Sequence, residues 1–213
     1  MIPKLHYITE GDSAKIHLEN LQNACTSGAE LVLLNLDHLS DKKFLKYALE
    51  AREITSHFQT RLIIRNRYKV AKEIKADGVH LEKSNTSPSL LSKELFTWQT
   101  IGATANNLEE CETLIKEEVD YLYLAPFQKK SSSENLDLAL GLNGYTLILE
   151  ALNTTTPILG YGEITLPEVT AILATGISGV AVDRAITANF NSTRDFNLLL
   201  NASSTQEQRH SFK

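Results

Sequence analysis

One short pattern returns four times in this chain and limits what it can fold into. A helix-like end gives way to a small or acidic step and then an apolar run: GAELVLL from Gly28, KADGVHL from Lys75, EVDYLYL from Glu118 and GISGVAV from Gly176. The copies lie about 50 residues apart, the length of two strand–helix units, so four copies imply eight strands. Eight candidate strands are indeed readable: Lys4–Thr9, Glu30–Asn35, Arg61–Arg65, Gly78–Leu81, Thr100–Thr104, Tyr121–Ala125, Pro157–Gly160 and Gly179–Val182. Each is followed by a segment long enough for a helix or a helical turn, and that alternation argues for an α/β chain with a parallel sheet covered by helices. A single (β/α)8 TIM barrel is the economical closure. An open doubly wound sheet is the alternative that alternation leaves standing.

Local signals agree. Asn107-Leu108-Glu109-Glu110 reads as a capping box, with Leu108, Cys111, Leu114 and Ile115 then on one helical face. Thr165-Leu166-Pro167-Glu168 repeats the design ahead of Val169, Ile172 and Leu173, and Gly176 should stop that helix. The longest irregular stretch is read over Pro126–Asn143, a length that suits a lid. At 213 residues the chain is expected to hold one domain over residues 1–200, with a polar, frayed tail over 201–213.

Lysine and arginine number 21 against 26 acidic residues, a net charge of −5, which argues against a general nucleic-acid binder. Two cysteines, Cys25 and Cys111, suggest a reduced compartment rather than a disulfide scaffold. No apolar stretch approaches a membrane span, and Lys4, His6 and Glu10 interrupt any signal-peptide core. The expected location is cytoplasmic, with no membrane partner. Self-association is left open.

In such a barrel, chemistry sits at the C-terminal strand ends. Those positions hold Glu10, Asn35, Asp37, Arg65, Asn66, Arg67, Glu82, Lys83, Thr104, Asn106, Lys129, Lys130, Gly162, Glu163, Asp183 and Arg184. Six cations and five carboxylates among them make a mixed rim rather than an anion funnel. Arg65 and Arg67, two residues apart at one strand end, should point the same way and would suit a phosphate or carboxylate. Alternatively they pair with Glu10, Asp37 or Glu82 as rim salt bridges. The six histidines show no metal spacing, and His80 reads as a hydrogen-bonded core residue ahead of a base.

The order and spacing of LHYITE at Leu5, LVLLNLDHLS at Leu31, LIIRNRYKVAKEIKADGVHLEKS at Leu62, IGATANNLEE at Ile101, VDYLYLAPF at Val119, GLNG at Gly141, PILGYGEI at Pro157 and SGVAVDRAI at Ser178 resemble the thiamine-phosphate synthase and TenI-like superfamily of barrels. The resemblance covers Lys4 to Ile186. It implies a protein of thiamine biosynthesis, a transferase joining pyrimidine methyl pyrophosphate to thiazole phosphate, with Mg²⁺ assisting loss of pyrophosphate. It implies catalytic roles for Arg67 and Lys83. Binding of a small phosphorylated heterocycle would fall to Arg65, Asn66, Thr104, Asn106, Lys129, Gly162, Asp183 and Arg184. The resemblance also shows departures. The strand-two Q-x-R-x-K falls on Leu33, Asn35 and Asp37, and the two Mg²⁺ aspartates fall on Asn66 and Asn85. The phosphate-binding Gly-Gly is Gly162-Glu163, a serine is replaced by Arg184, and a tautomerase histidine by Pro126. These leave an alternative: a non-catalytic or TenI-like barrel binding a phosphorylated thiazole or pyrimidine. No residue pattern names a cofactor, and Mg²⁺ enters only with retained synthase chemistry.

Overall fold

A computed structural model describes residues 1–82, 87–128 and 139–200. Strands β1 (Leu5–Ile8), β2 (Leu31–Leu34), β3 (Arg61–Arg65), β4 (Gly78–Leu81), β5 (Thr100–Ala105), β6 (Tyr121–Leu124), β7 (Ile158–Tyr161) and β8 (Gly179–Val182) match the eight expected runs to within a residue or two at each end. They pair in chain order as a closed parallel barrel. The closing seam sets Leu5, His6 and Tyr7 opposite Val180, Ala181 and Val182, which disposes of the open-sheet alternative. Around it lie α1 (Ala14–Thr26), α2 (Asp41–Phe58), α3 (Tyr68–Glu73), α4 (Pro88–Leu91), α5 (Leu108–Lys116), α6 (Gly141–Ala151), α7 (Val169–Ala174), α8 (Arg184–Thr187) and α9 (Ser192–Leu199).

The recurring acidic step has a structural reason. Asp77 donates its backbone N–H to Leu62 O at 2.8 Å and accepts from Leu62 N through Oδ2 at 2.8 Å. Asp120 repeats this on Ile101, with both bonds at 2.8 and 2.7 Å. Each aspartate thus ties its own strand entry to the preceding strand and satisfies backbone groups that the barrel floor would otherwise bury unpaired.

Two apolar layers result. The outer one packs strand side chains such as Leu34, Leu62 and Leu122 against helix residues such as Phe44, Ala48 and Cys111. The inner one fills the barrel with Ile8, Leu31, Leu33, Ile63, Tyr121, Tyr123, Leu159 and Ala181. Both faces of a strand are therefore buried, which is why most strands are continuous apolar runs rather than alternating ones.

The helix signals are realised. Asn107 accepts from Glu110 N at 2.9 Å, and Thr165 N donates to Glu168 Oε2 at 2.8 Å. Gly176 follows the α7 end with a φ of +97°. Replacing Asn107 with alanine is expected to cost about 1 kcal/mol, read as a lower urea midpoint; an unchanged midpoint would show that the cap contributes nothing.

One boundary needs correction. The irregular stretch does not run to Asn143, because α6 begins at Gly141. Gly141 and Gly144 are poor helix formers, so the segment looks like loop in sequence. What starts the helix is tertiary: Leu140 N donates to Pro126 O at 2.9 Å and Gly141 N to Phe127 O at 3.0 Å, pinning the two ends of the connection together. Lys129, Lys130 and Ser131–Ser133 lie outside the described residues, as does the tail expected from Asn201. No helix among the described residues is long and apolar enough to cross a membrane.

Candidate functional site

At the C-terminal end of the barrel an open pocket is lined by Ile8, Leu33, Arg65, His80, Glu82, Thr104, Tyr123 and Tyr161. Every one sits at the C-terminal end of a strand or one residue to either side of it. The walls are apolar and aromatic, and the polar groups come from β3, β4 and β5.

Arg65 ends β3 and is held on three sides. Its Nη1 donates to Asn35 Oδ1 at 2.8 Å, its Nε lies 2.9 Å from Asp37 Oδ2 as an ion pair, and Nη2 pairs with the Glu82 carboxylate. Of the two readings of this arginine, the structure forms the rim salt bridges, with Asp37 and Glu82 as the partners.

Arg67 does not extend the same row. The strand stops at Arg65, and Asn66 turns into the left-handed region at φ 57°, a conformation asparagine tolerates better than most residues. That break cancels the two-residue alternation, and Arg67 becomes the residue preceding α3. Its guanidinium donates to Leu39 O at 2.7 Å, Asp37 O at 3.1 Å and Asp41 Oδ1 at 3.1 Å, and lies 4.4 Å from the centre of the Phe44 ring. It braces the β2–α2 connection and is absent from the pocket lining. Lys83, its expected catalytic companion, lies outside the described residues, as do Lys129 and Asn85.

Asn66 works as a tie. Its Oδ1 accepts from Glu82 N at 2.8 Å and its Nδ2 donates to Asp37 Oδ2 at 3.4 Å. Thr104 lines the pocket and meets His80 Nε2 at 2.9 Å. Asn106 instead joins the ends of β5 and β6 through Nδ2 to Ala125 O at 2.7 Å.

His80 and His6 stand inside the barrel with their ring nitrogens hydrogen-bonded. His80 Nδ1 meets Tyr121 OH at 3.2 Å, and the ring stacks on Tyr123 with centroids 4.1 Å apart. His6 bonds Tyr123 OH at 2.7 Å and Pro3 O at 3.1 Å. Burial holds His80 well below the ordinary histidine range, and the nearby Arg65 and His6 add to that effect. Burial likewise lowers His6 to about 3. Both rings are therefore neutral near pH 7, positioning groups rather than cations. Burial also pushes the Tyr121 and Tyr123 hydroxyls far above the usual tyrosine range, so they act as hydrogen-bonding phenols.

Across the mouth, Gly162 takes a φ of +114°, and a Cβ there would lie 2.9 Å from Phe127 N. The glycine is needed for close approach of the β7 exit to the segment after β6, confirmed by Gln128 N donating to Gly162 O at 3.1 Å. Asp183 is buried and caps the short α8 by accepting from Arg184 N at 2.7 Å. Arg184 is largely exposed, with Nε 3.5 Å from Glu10 Oε1 and Nη1 4.0 Å from Glu163 Oε2. Arg184 therefore sits at the rim between two carboxylates, and Gly162 serves the backbone.

The pocket walls Ile8, Leu33, Tyr123 and Tyr161 were not singled out as binding residues by the sequence. Strand alternation carries the signal, since Tyr121 and Tyr123 share one face, but Leu122 and Leu124 are equally apolar and hide which face is inward.

The family resemblance implies Mg²⁺, and the described residues do not suit it. They contain no group of three or more His, Cys, Asp and Glu side chains gathered for a metal. Asn66 stands where an aspartate is expected and spends its amide on Glu82 N and Asp37. The two carboxylates that remain nearby, Asp37 and Glu82, already share the Arg65 guanidinium, and Mg²⁺ relies on carboxylates free to ligate.

The thiamine monophosphate synthase family model matches residues 5–186. A thiamine-phosphate synthase from Flavobacterium johnsoniae is 30% identical over 190 residues, spanning 88% of this chain and 90% of that relative. Another from Flavobacterium psychrophilum is 32% identical over 194 residues, 90% of this chain and 94% of that protein. Among solved structures, thiamine phosphate pyrophosphorylase from Pyrococcus furiosus superposes with a TM-score of 0.76 at 22% identity, over 93% of both chains, which speaks for the fold. The family model spans most of the chain and relatives at about 30% identity match along nearly its whole length, so the chain belongs to the thiamine monophosphate synthase family.

Proposed function

We propose that this protein acts in thiamine biosynthesis as a thiamine-phosphate synthase, joining a pyrimidine methyl pyrophosphate to a thiazole phosphate. The observation that supports it is the pocket at the barrel mouth, lined by the half-buried Tyr161 ring and one fixed guanidinium, Arg65, in a chain of this family. Planar heterocycles suit such a ring, and a guanidinium suits a phosphoryl oxygen. In the reaction the methylene–oxygen bond to pyrophosphate breaks with its electron pair leaving on oxygen, and the thiazole nitrogen supplies the pair for the new carbon–nitrogen bond. Aromatic faces favour the electron-poor methylene carbon. Arg65 offsets charge on the departing anion. His80, neutral and fixed by Tyr121 and Thr104, orients the floor of the pocket without donating a charge.

The test is formation of thiamine phosphate from the two substrates, read as fluorescent thiochrome. Product above a no-enzyme control is expected, and Tyr161→Ala should lower it by about fivefold, since an aromatic wall contributes on the order of 1 kcal/mol. No product from folded protein at high concentration, with the thiazole phosphate still bound, favours the second reading. In that reading the barrel binds the phosphorylated heterocycle without synthase turnover, a role suited to the engagement of Arg65 by Asp37 and Glu82.

A further inference from the structure

We propose that Arg65 is the resident cation of an anion site that works without a divalent metal, and that the Glu82 carboxylate holds the place a ligand's phosphoryl oxygens take.

A guanidinium carries five N–H donors in a rigid fork. Arg65 gives one to Asn35, its guanidinium pairs with the carboxylates of Asp37 and Glu82, and the side chain lines the pocket. Two of these partners are built in. Asp37 receives Arg65, Asn66 and Arg67 together, the last through Nη1 at 3.3 Å. Asn35 is fixed by its own N–H donating to Thr9 Oγ1 at 3.0 Å. The third partner differs. Glu82 follows the last residue of β4 and is itself part of the pocket lining, so its carboxylate is the group on Arg65 that a ligand meets. Carboxylate and phosphate present the same acceptor geometry to a guanidinium, which makes the exchange chemically even.

The neighbouring substitutions form one consistent set. Arg65 brings a cation to β3, Asp37 provides its counter-charge from the end of β2, and Asn66 donates to Asp37 where a second aspartate would repel it. A divalent ion placed between Asp37 and Glu82 would have to expel the guanidinium. Two like charges at contact distance repel far more strongly beside a protein interior than in water. A resident arginine and a resident metal are thus mutually exclusive here.

The inference rests on the phosphorylated-ligand half of the proposed function. Inorganic pyrophosphate is the probe, titrated calorimetrically into the full chain in EDTA and again with excess Mg²⁺. Binding is expected in EDTA, with an affinity within about twofold of that in Mg²⁺. Glu82→Gln, which removes the competing charge, should bind about tenfold tighter. Arg65→Lys, which keeps the charge and loses the fork, should bind about tenfold more weakly, as expected for one charge-assisted hydrogen bond. Melting temperatures of both variants establish that they are folded. Binding seen only with Mg²⁺, no binding in either buffer, or a Glu82→Gln affinity no better than the parent's would each overturn the proposal. Thiochrome turnover run on the same samples separates it from the synthase reading. Turnover that requires Mg²⁺ overturns the metal-free site and leaves the synthase. Binding insensitive to EDTA without turnover supports the site and overturns the synthase.

Discussion

Alanine at Gly102 is expected to destabilise the barrel by about 3 kcal/mol, near the upper end for overpacking a core. Gly102 lies in β5 directly opposite Tyr121 of β6 and His80 of β4. A Cβ built there would stand 2.1 Å from Tyr121 Cζ, well inside any real contact. The ring cannot step aside cheaply, because Tyr121 is fully buried, bonds His80 and makes an edge contact with His6 at 5.0 Å between centroids. For a chain of this size the loss corresponds to a melting temperature about 6–12 °C lower. The measurement is a thermal melt of Gly102→Ala beside the double variant Gly102→Ala/Tyr121→Leu. The double variant should recover part of the loss, since the smaller side chain removes the clash. A single variant melting within about 2 °C of the parent would show that the Tyr121 ring has room to move, contrary to a close-packed interior.

The same glycine shows where sequence reading stops. The strand count and the barrel closure were legible because apolar runs, acidic steps and caps recur at a spacing only strand–helix units satisfy. Asp77 and Asp120 belong to that repeat, and their shared bonding to the preceding strand is the physical source of it. Which side chains meet inside the barrel was not legible. That depends on register between neighbouring strands, as in Gly102 opposite Tyr121, and on a stagger no local pattern records. The site divides the same way. Pairing of Arg65 with Asp37 and Glu82 was one of two readings the rim's mixed charge left open, and the third carboxylate considered, Glu10, pairs with Arg184 instead. The separate destination of Arg67 did not, because it turns on the backbone of Asn66 rather than on the period of a strand. Gly141 misled for a related reason: its helix is started by contacts with Pro126 and Phe127, distant in sequence, against its own propensity.

Acid should unfold this protein early, through its interior histidines. His6 and His80 are both nearly inaccessible to solvent, and burial holds their basicity down, to about 3 for His6 and well below the ordinary value for His80. In the unfolded chain each returns to about 6.5. Above that pH both states are neutral and the histidines contribute no pH dependence. As pH falls below 6.5 the unfolded chain takes up protons that the folded barrel refuses, so stability drops, and the drop continues until the folded-state value is reached. At pH 5 the His6 imidazole costs about 2 kcal/mol relative to pH 7, and His80 and the buried His17 add to the loss in the same direction. Ordinary carboxylates titrate mostly below this window, which isolates the histidines. Arg65 near His80 and Arg61 near His6 oppose any imidazolium and sharpen the effect. Urea unfolding at pH 7 and pH 5 measures it, and His6→Gln, which keeps a polar side chain beside Tyr123 and removes the titration, should recover about 2 kcal/mol of the pH-dependent loss. Equal stability of the parent at the two pH values, or a His6→Gln variant with the full loss, would mean that the barrel admits protons to its interior and that His80 is available as a charged group in the pocket.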